Sequence, residues 1–125
     1  MHSRLCRILG AALVAGALAT TAFAGMKTSQ QVVIVDANKF ANGELGHVRN
    51  TADSVQYIGC TIKGTAGSCT ARNSAGLTRS CSTTEAKWLA TIAAVNGDTY
   101  LYFRWDTDGK CNLIIVENNS TPAPK

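Results

Sequence analysis

Glu44, His47 and Arg49 form the one grouping in the 125-residue chain with the makings of general acid/base catalysis. A carboxylate and an imidazole can move protons while a guanidinium holds a phosphate. Small secreted ribonucleases cleave phosphodiesters with such a set. His47 is the only histidine after residue 2, so a Ser/His/Asp triad would also have to use it, and no Gly-x-Ser-x-Gly elbow accompanies it. The three residues lie in one Gly-containing stretch that a solvated polar loop explains equally well. A ribonuclease-like hydrolase is therefore the alternative reading.

Binding chemistry is better represented. Tyr100, Tyr102 and Arg104 alternate along one segment, which as a strand would present an aromatic and cationic row on a single face, with Tyr57 as a candidate neighbour. Such a row suits stacking on a sugar or anchoring a protein partner. It serves those purposes only if it faces solvent, and a helix covering the sheet would make it core instead.

Asp106-Thr107-Asp108-Gly109 has the closely spaced carboxylates of a calcium loop, but Lys110 and an apolar run follow where further oxygen ligands are needed. Turn chemistry alone accounts for Asp and Gly there. No metal and no cofactor is expected. Asn118-Asn119-Ser120 and Asn119-Ser120-Thr121 match the glycosylation pattern of an exposed exported segment.

The total charge of +4 and five cysteines average two different polypeptides. Met1 to Arg7 carries two arginines and no acid, Ile8 to Ala19 is uncharged and apolar, and Ala22-Phe23-Ala24 has the small-residue spacing of a cleavage site. This predicts a secretory signal at 1–24, its apolar run being too short for a membrane span of about 20 residues. Cys6 precedes the apolar run and leaves with the signal. The remaining 101 residues carry a net charge of +2, scattered rather than clustered, so there is no strong nucleic-acid signal. A 46% hydrophobic, 16% charged composition excludes a disordered or polytopic membrane chain, and the length excludes a multi-domain enzyme.

Cys60, Cys69, Cys81 and Cys111 then remain, an even number in a small exported domain, and read as two disulfides. Their intervals fit neither a zinc site nor a Cys-x-x-Cys redox pair.

The elements that must position these residues follow from periodicity and turn chemistry. Gln31 to Asp36 reads as a buried strand, Ala37 to Ala52 as a long loop with at most one helical turn, and Ser54 to Lys63 as a second strand. Short connections lead to strands at 68–73 and 77–81, so the three strands form an antiparallel meander with Cys60, Cys69 and Cys81 at one height. The outer two of three strands stand about 9 to 10 Å apart, too far for a disulfide. The pairing is thus either 60–69 with 81–111 or 69–81 with 60–111. Ser82 and Glu85 form a capping box for an amphipathic helix running to Asn96, with Trp88, Leu89, Ile92 and Val95 as its apolar stripe. Asp98 to Asn118 reads as a β-hairpin in which Gly109 takes a left-handed turn position. That register opposes 105 with 111, 103 with 113, and 101 with 115.

The expected protein is an α+β domain with a small antiparallel sheet of five or six strands, made of the meander and the C-terminal hairpin, one amphipathic helix and two disulfides. The domain spans 25–118, with a flexible tail at 119–125. Secreted or periplasmic, and monomeric, it reads as a non-enzymatic binding module for an extracellular protein or glycan. A hydrolase inhibitor presenting the loop at 73–79 is a special case.

Overall fold

The computed structural model describes residues 28–121. The signal expected at 1–24 and the last tail residues, 122–125, lie outside the described residues. Among those described, seven strands form two antiparallel sheets rather than one sheet of five or six. The first contains β1 (Val33–Val35), β2 (Phe40–Glu44), β6 (Tyr100–Trp105) and β7 (Cys111–Glu117), in the order β1-β2-β6-β7. The second is the meander β3 (Tyr57–Lys63), β4 (Ala66–Arg72) and β5 (Thr78–Thr83). Helix α1 (Leu45–Arg49) follows β2, and α2 (Ala86–Ala93) joins the sheets between β5 and β6. No helix among the described residues is long and apolar enough to cross a membrane.

Each sheet turns one face to a shared core. Ala41, Leu101, Phe103 and Ile114 come from the first sheet and Ile58, Cys69, Ala71 and Cys81 from the second, all nearly removed from solvent. Helix α2 closes this core with Ile92, and Trp88 and Val95 pack against it. The helix lies on Gly67 of β4, where an added Cβ would stand 2.9 Å from the Leu89 side chain and 3.0 Å from that of Ile92. The apolar stripe is thus inward, as the helical spacing demands.

The disulfides take the first of the two expected pairings. Cys60 and Cys69 are directly opposed on β3 and β4, and Cys81 joins Cys111 across the sheets. What selects this pairing is a contact of the second hairpin with β5. The Ser82 N–H donates to the Gly109 carbonyl at 3.0 Å, and Ser82 bridges Lys110, which carries Cys111 to Cys81.

Four local expectations are revised. The segment 37–52 is not a loop with one turn, because β2 and α1 occupy its centre. The inward residues of β2 are Ala41, opposite Phe103, and Gly43, where an added Cβ would meet the Val32 backbone at 3.4 Å and the Ile58 side chain at 3.5 Å, so the strand carries little hydrophobic signal. β1 is shorter than the run 31–36 and lies at a sheet edge, with Val33 left 41% exposed. Helix α2 begins at Ala86: Ser82 is held in β5 opposite Ser68, no capping box forms, and the Thr83 hydroxyl accepts from the Glu85 N–H at 3.1 Å.

The fourth revision concerns the hairpin. Gly109 adopts φ +73° as expected, and one Asp106 carboxylate oxygen accepts from the Asp108 and Lys110 N–H groups at 2.9 Å each. Trp105 opposes Cys111, but Arg104 opposes Leu113, so Asn112 is an extra residue in β7. This β-bulge shifts every later pair by one. Phe103 faces Ile114 and Leu101 faces Val116, so Ile114 enters the core while Leu113 and Ile115 turn outward.

Candidate functional site

Cross-strand partners share a sheet face, so the register defines the outer face of the first sheet as three rows. Val35, Phe40, Arg104 and Leu113 form one; Val33, Asn42, Tyr102 and Ile115 the next; Glu44, Tyr100 and Glu117 the third. Both helices make their contacts with this sheet through the other side of the domain, where the core lies. Val33 and Ile115 remain 41% and 39% exposed, Arg104 is exposed, Tyr100, Tyr102, Phe40 and Leu113 are half-buried, and Asn42 and Glu44 are buried. The rings of Phe40 and Tyr102 stack with centroids 5.2 Å apart and planes at 22°. Two-ring stacking of this kind gives a face rigid apolar area at low entropic cost.

The register places Tyr100, Tyr102 and Arg104 on one face of the first sheet, the two tyrosines half-buried and Arg104 exposed. Tyr57 is elsewhere: it sits on β3, on the outer face of the other sheet, 49% exposed, with its hydroxyl lying over Gly59. Phe40, Val33, Leu113 and Ile115 belong to the aromatic face and were not foreseen in it. A signal for Phe40 existed, since it is a large apolar residue just before the alternation of small and polar residues in β2.

Glu44, His47 and Arg49 do not converge. Glu44, 2% exposed, accepts hydrogen bonds from the Thr28 hydroxyl and from the Gln30 N–H at 3.1 Å, which fasten the incoming chain to β2. With Tyr100 and Glu117 it lines a cavity of about 250 Å³ at the end of the aromatic face. Burial raises the Tyr100 phenol pKa above its ordinary value, and the charges of Glu117, Tyr102 and Glu44 push the same way. Arg49 ends α1: its Nη2 donates to the Gly97 carbonyl at 3.2 Å, and with Tyr57 it lines a different cavity of about 440 Å³. His47 lines neither. The structure thus sets Glu44 beside Tyr100 in one cavity, and Arg49 and Tyr57 in the lining of another.

The second cavity was not anticipated. Leu45 and Val48 of α1, Ile58 of β3 and Val95 after α2 supply apolar walls, and Arg49 is its only charged lining residue. None of these carries a sequence signal beyond hydrophobicity, because the cavity is made by α1 meeting the edge strand β3 across a long connection.

Other candidate positions are committed to structure. The β4–β5 loop closes as a turn in which the Asn73 side-chain oxygen accepts from the Ala75 and Leu77 N–H groups at 3.1 and 3.0 Å, with Leu77 exposed where the turn rejoins β5. The carboxylate of Asp106 is engaged by the hairpin turn, and no cluster of three or more potential metal ligands occurs among the described residues. Asn118 donates to the Ala94 carbonyl and accepts from the Thr99 hydroxyl, while Asn119 accepts from the Thr121 N–H. The chain matches no protein-family model, no curated protein and no solved structure with which it was compared.

Proposed function

We propose that this is an exported, non-enzymatic protein-binding module whose contact surface is the outer face of the four-stranded sheet. One observation carries the reading: the stacked rings of Phe40 and Tyr102, half-buried, share an outer sheet face with the exposed Val33 and Ile115 on a disulfide-bonded domain. Contiguous exposed apolar surface of this kind marks association sites, and tyrosine and arginine are the residue types that dominate interface energies. Tyr102 and the Phe40 ring stacked on it form the centre. Arg104 and Glu117 stand at the rim, at opposite ends of the face, where charge selects partners and steers approach. Two disulfides suit an oxidising compartment outside the cytoplasm, and the export signal read at 1–24 would deliver the chain there.

The test is capture from the exported protein fraction of the source organism, using the mature chain as bait. Truncating a central anchor costs about 2 kcal/mol or more of binding. A Tyr102→Ser/Ile115→Ser variant is expected to lose the partner, and Tyr57→Ala, on the opposite sheet, to retain it. Identical capture by the wild type and the double variant overturns the reading.

A further inference from the structure

The cavity of about 440 Å³ between α1, the edge strand β3 and Val95 has a chemistry distinct from that of the aromatic face, and it lies within the range of roughly 300 to 1,000 Å³ found for small-ligand pockets. Leu45, Val48, Ile58 and Val95 make it largely apolar. Its polar lining residues are unequal. Gln56 is already held, donating to Asp53 at 2.7 Å and accepting from the Val32 N–H at 3.0 Å. Tyr57 lies along its own strand over Gly59, walling one side.

Arg49 is different. A guanidinium carries five N–H donors in a fixed planar fork, and the contact with the Gly97 carbonyl engages Nη2. That contact anchors the group at the cavity wall. No carboxylate lines the cavity with it, although eight acidic residues occur in the chain. A lone cation beside an apolar hollow is complementary to one kind of small molecule: an apolar body ending in a single anionic head.

We propose that this cavity binds a small apolar monocarboxylate, with its hydrocarbon part between Leu45, Val48, Ile58 and Val95 and its carboxylate paired with Arg49. The head accepts charge-assisted N–H bonds from the guanidinium, which are the stronger class of hydrogen bond. The body displaces water chiefly from the half-buried Leu45 and Val95, Val48 and Ile58 being nearly removed from solvent already, and this apolar contact favours chains of several carbons over acetate-sized anions. Neutral and cationic analogues of the same body lack the head contact, and the cation also meets like charge. The site is independent of the aromatic face, so either assignment stands or falls alone.

The experiment is an amide-shift titration of the isotopically labelled mature chain with octanoate, octanol and octylammonium, each up to 10 mM at neutral pH. Octanoate is expected to shift the Val48, Ile58, Gly59 and Val95 amides saturably, at least about tenfold more tightly than octanol, since a charge-assisted contact is worth about 1.5 kcal/mol or more. Octylammonium should shift none of them. Arg49→Gln should reduce octanoate to the level of octanol, with the remaining spectrum reporting that the variant is folded. Lys63→Gln, at the other end of β3, should behave as wild type. Equal response to octanoate and octanol in the wild type, preference retained in Arg49→Gln, preference lost in Lys63→Gln, or no response of these amides to octanoate overturns the proposal.

Discussion

The side-chain amide of Asn118 donates to the carbonyl of Ala94 at 2.8 Å, tying the end of the last strand to the end of α2, 24 residues earlier in the chain. The same side chain accepts from the hydroxyl of Thr99, which is wholly buried and in turn accepts from the Asn96 N–H at 2.8 Å. Asn118→Ala would leave the Thr99 hydroxyl and the helix-end carbonyl without these partners. A buried polar group left unsatisfied costs about 1 to 3 kcal/mol, so denaturant unfolding of this variant should show a loss in that range. A change below about 0.5 kcal/mol, typical of surface substitutions, would show that this bolt carries no strain of the fold.

The two disulfides should contribute unequally. Cys81–Cys111 closes a separation of 30 residues and joins the sheets, whereas Cys60–Cys69 closes 9 residues within one hairpin. On the chain-entropy model these restrict the unfolded state by about 3.5 and about 2.5 kcal/mol respectively. Paired serine substitutions, compared by thermal unfolding, should rank in that order, with the variant at 81 and 111 melting lower. The opposite ranking would mean that the long connection is already restrained without its bond.

Acid should loosen the segment before β3. Asp53 accepts hydrogen bonds from the Gln56 side chain and from the Gln56 and Val55 N–H groups, which hold its carboxyl well below the usual 3.8, at about 2. The ionised form is the one these donors stabilise. Its contribution is complete above the unfolded value near 3.8 and is lost as pH falls through about 2. An NMR titration should therefore find Asp53 titrating lowest, with the Val55 and Gln56 amides moving in step. Asp53→Asn should abolish that coupled movement, and its persistence would assign it to another group.

RNA should survive incubation with the mature protein between pH 5 and 8. General acid and base must stand within hydrogen-bond reach of one reacting atom, yet Glu44 is spent on Thr28 and Gln30 while Arg49 lines a different cavity. Cleavage that disappears in His47→Ala would overturn this expectation.

Elements whose side chains obey a simple period were readable without the structure. The meander, the inward stripe of α2 and the turn at Gly109 each follow from local residues, and the strand spacing left only two disulfide pairings. β2 escaped because its inward positions are the small residues Ala41 and Gly43, the second pressed close by Val32 and by Ile58 of the other sheet. The inserted Asn112 escaped because a bulge changes the face of every following residue without changing composition. The aromatic row was half legible for a related reason. Tyr100, Tyr102 and Arg104 share one strand, so alternation alone unites them, but Phe40 and Ile115 join them only through registers set far away in sequence. Tyr57 was grouped with them by residue type, and residue type does not say to which sheet a strand belongs.

The Thr28 N–H donates to the Thr121 carbonyl at 2.7 Å, and both threonines stand beside Glu44, Tyr100 and Glu117. The polypeptide thus enters and leaves the fold at one corner, like a bead hung by both ends of its thread. Thr28 and Thr121 therefore stand side by side at the acidic end of the aromatic face. Tethering the protein through Lys63, exposed at the end of β3 in the other sheet, keeps the point of attachment off that face and away from this corner.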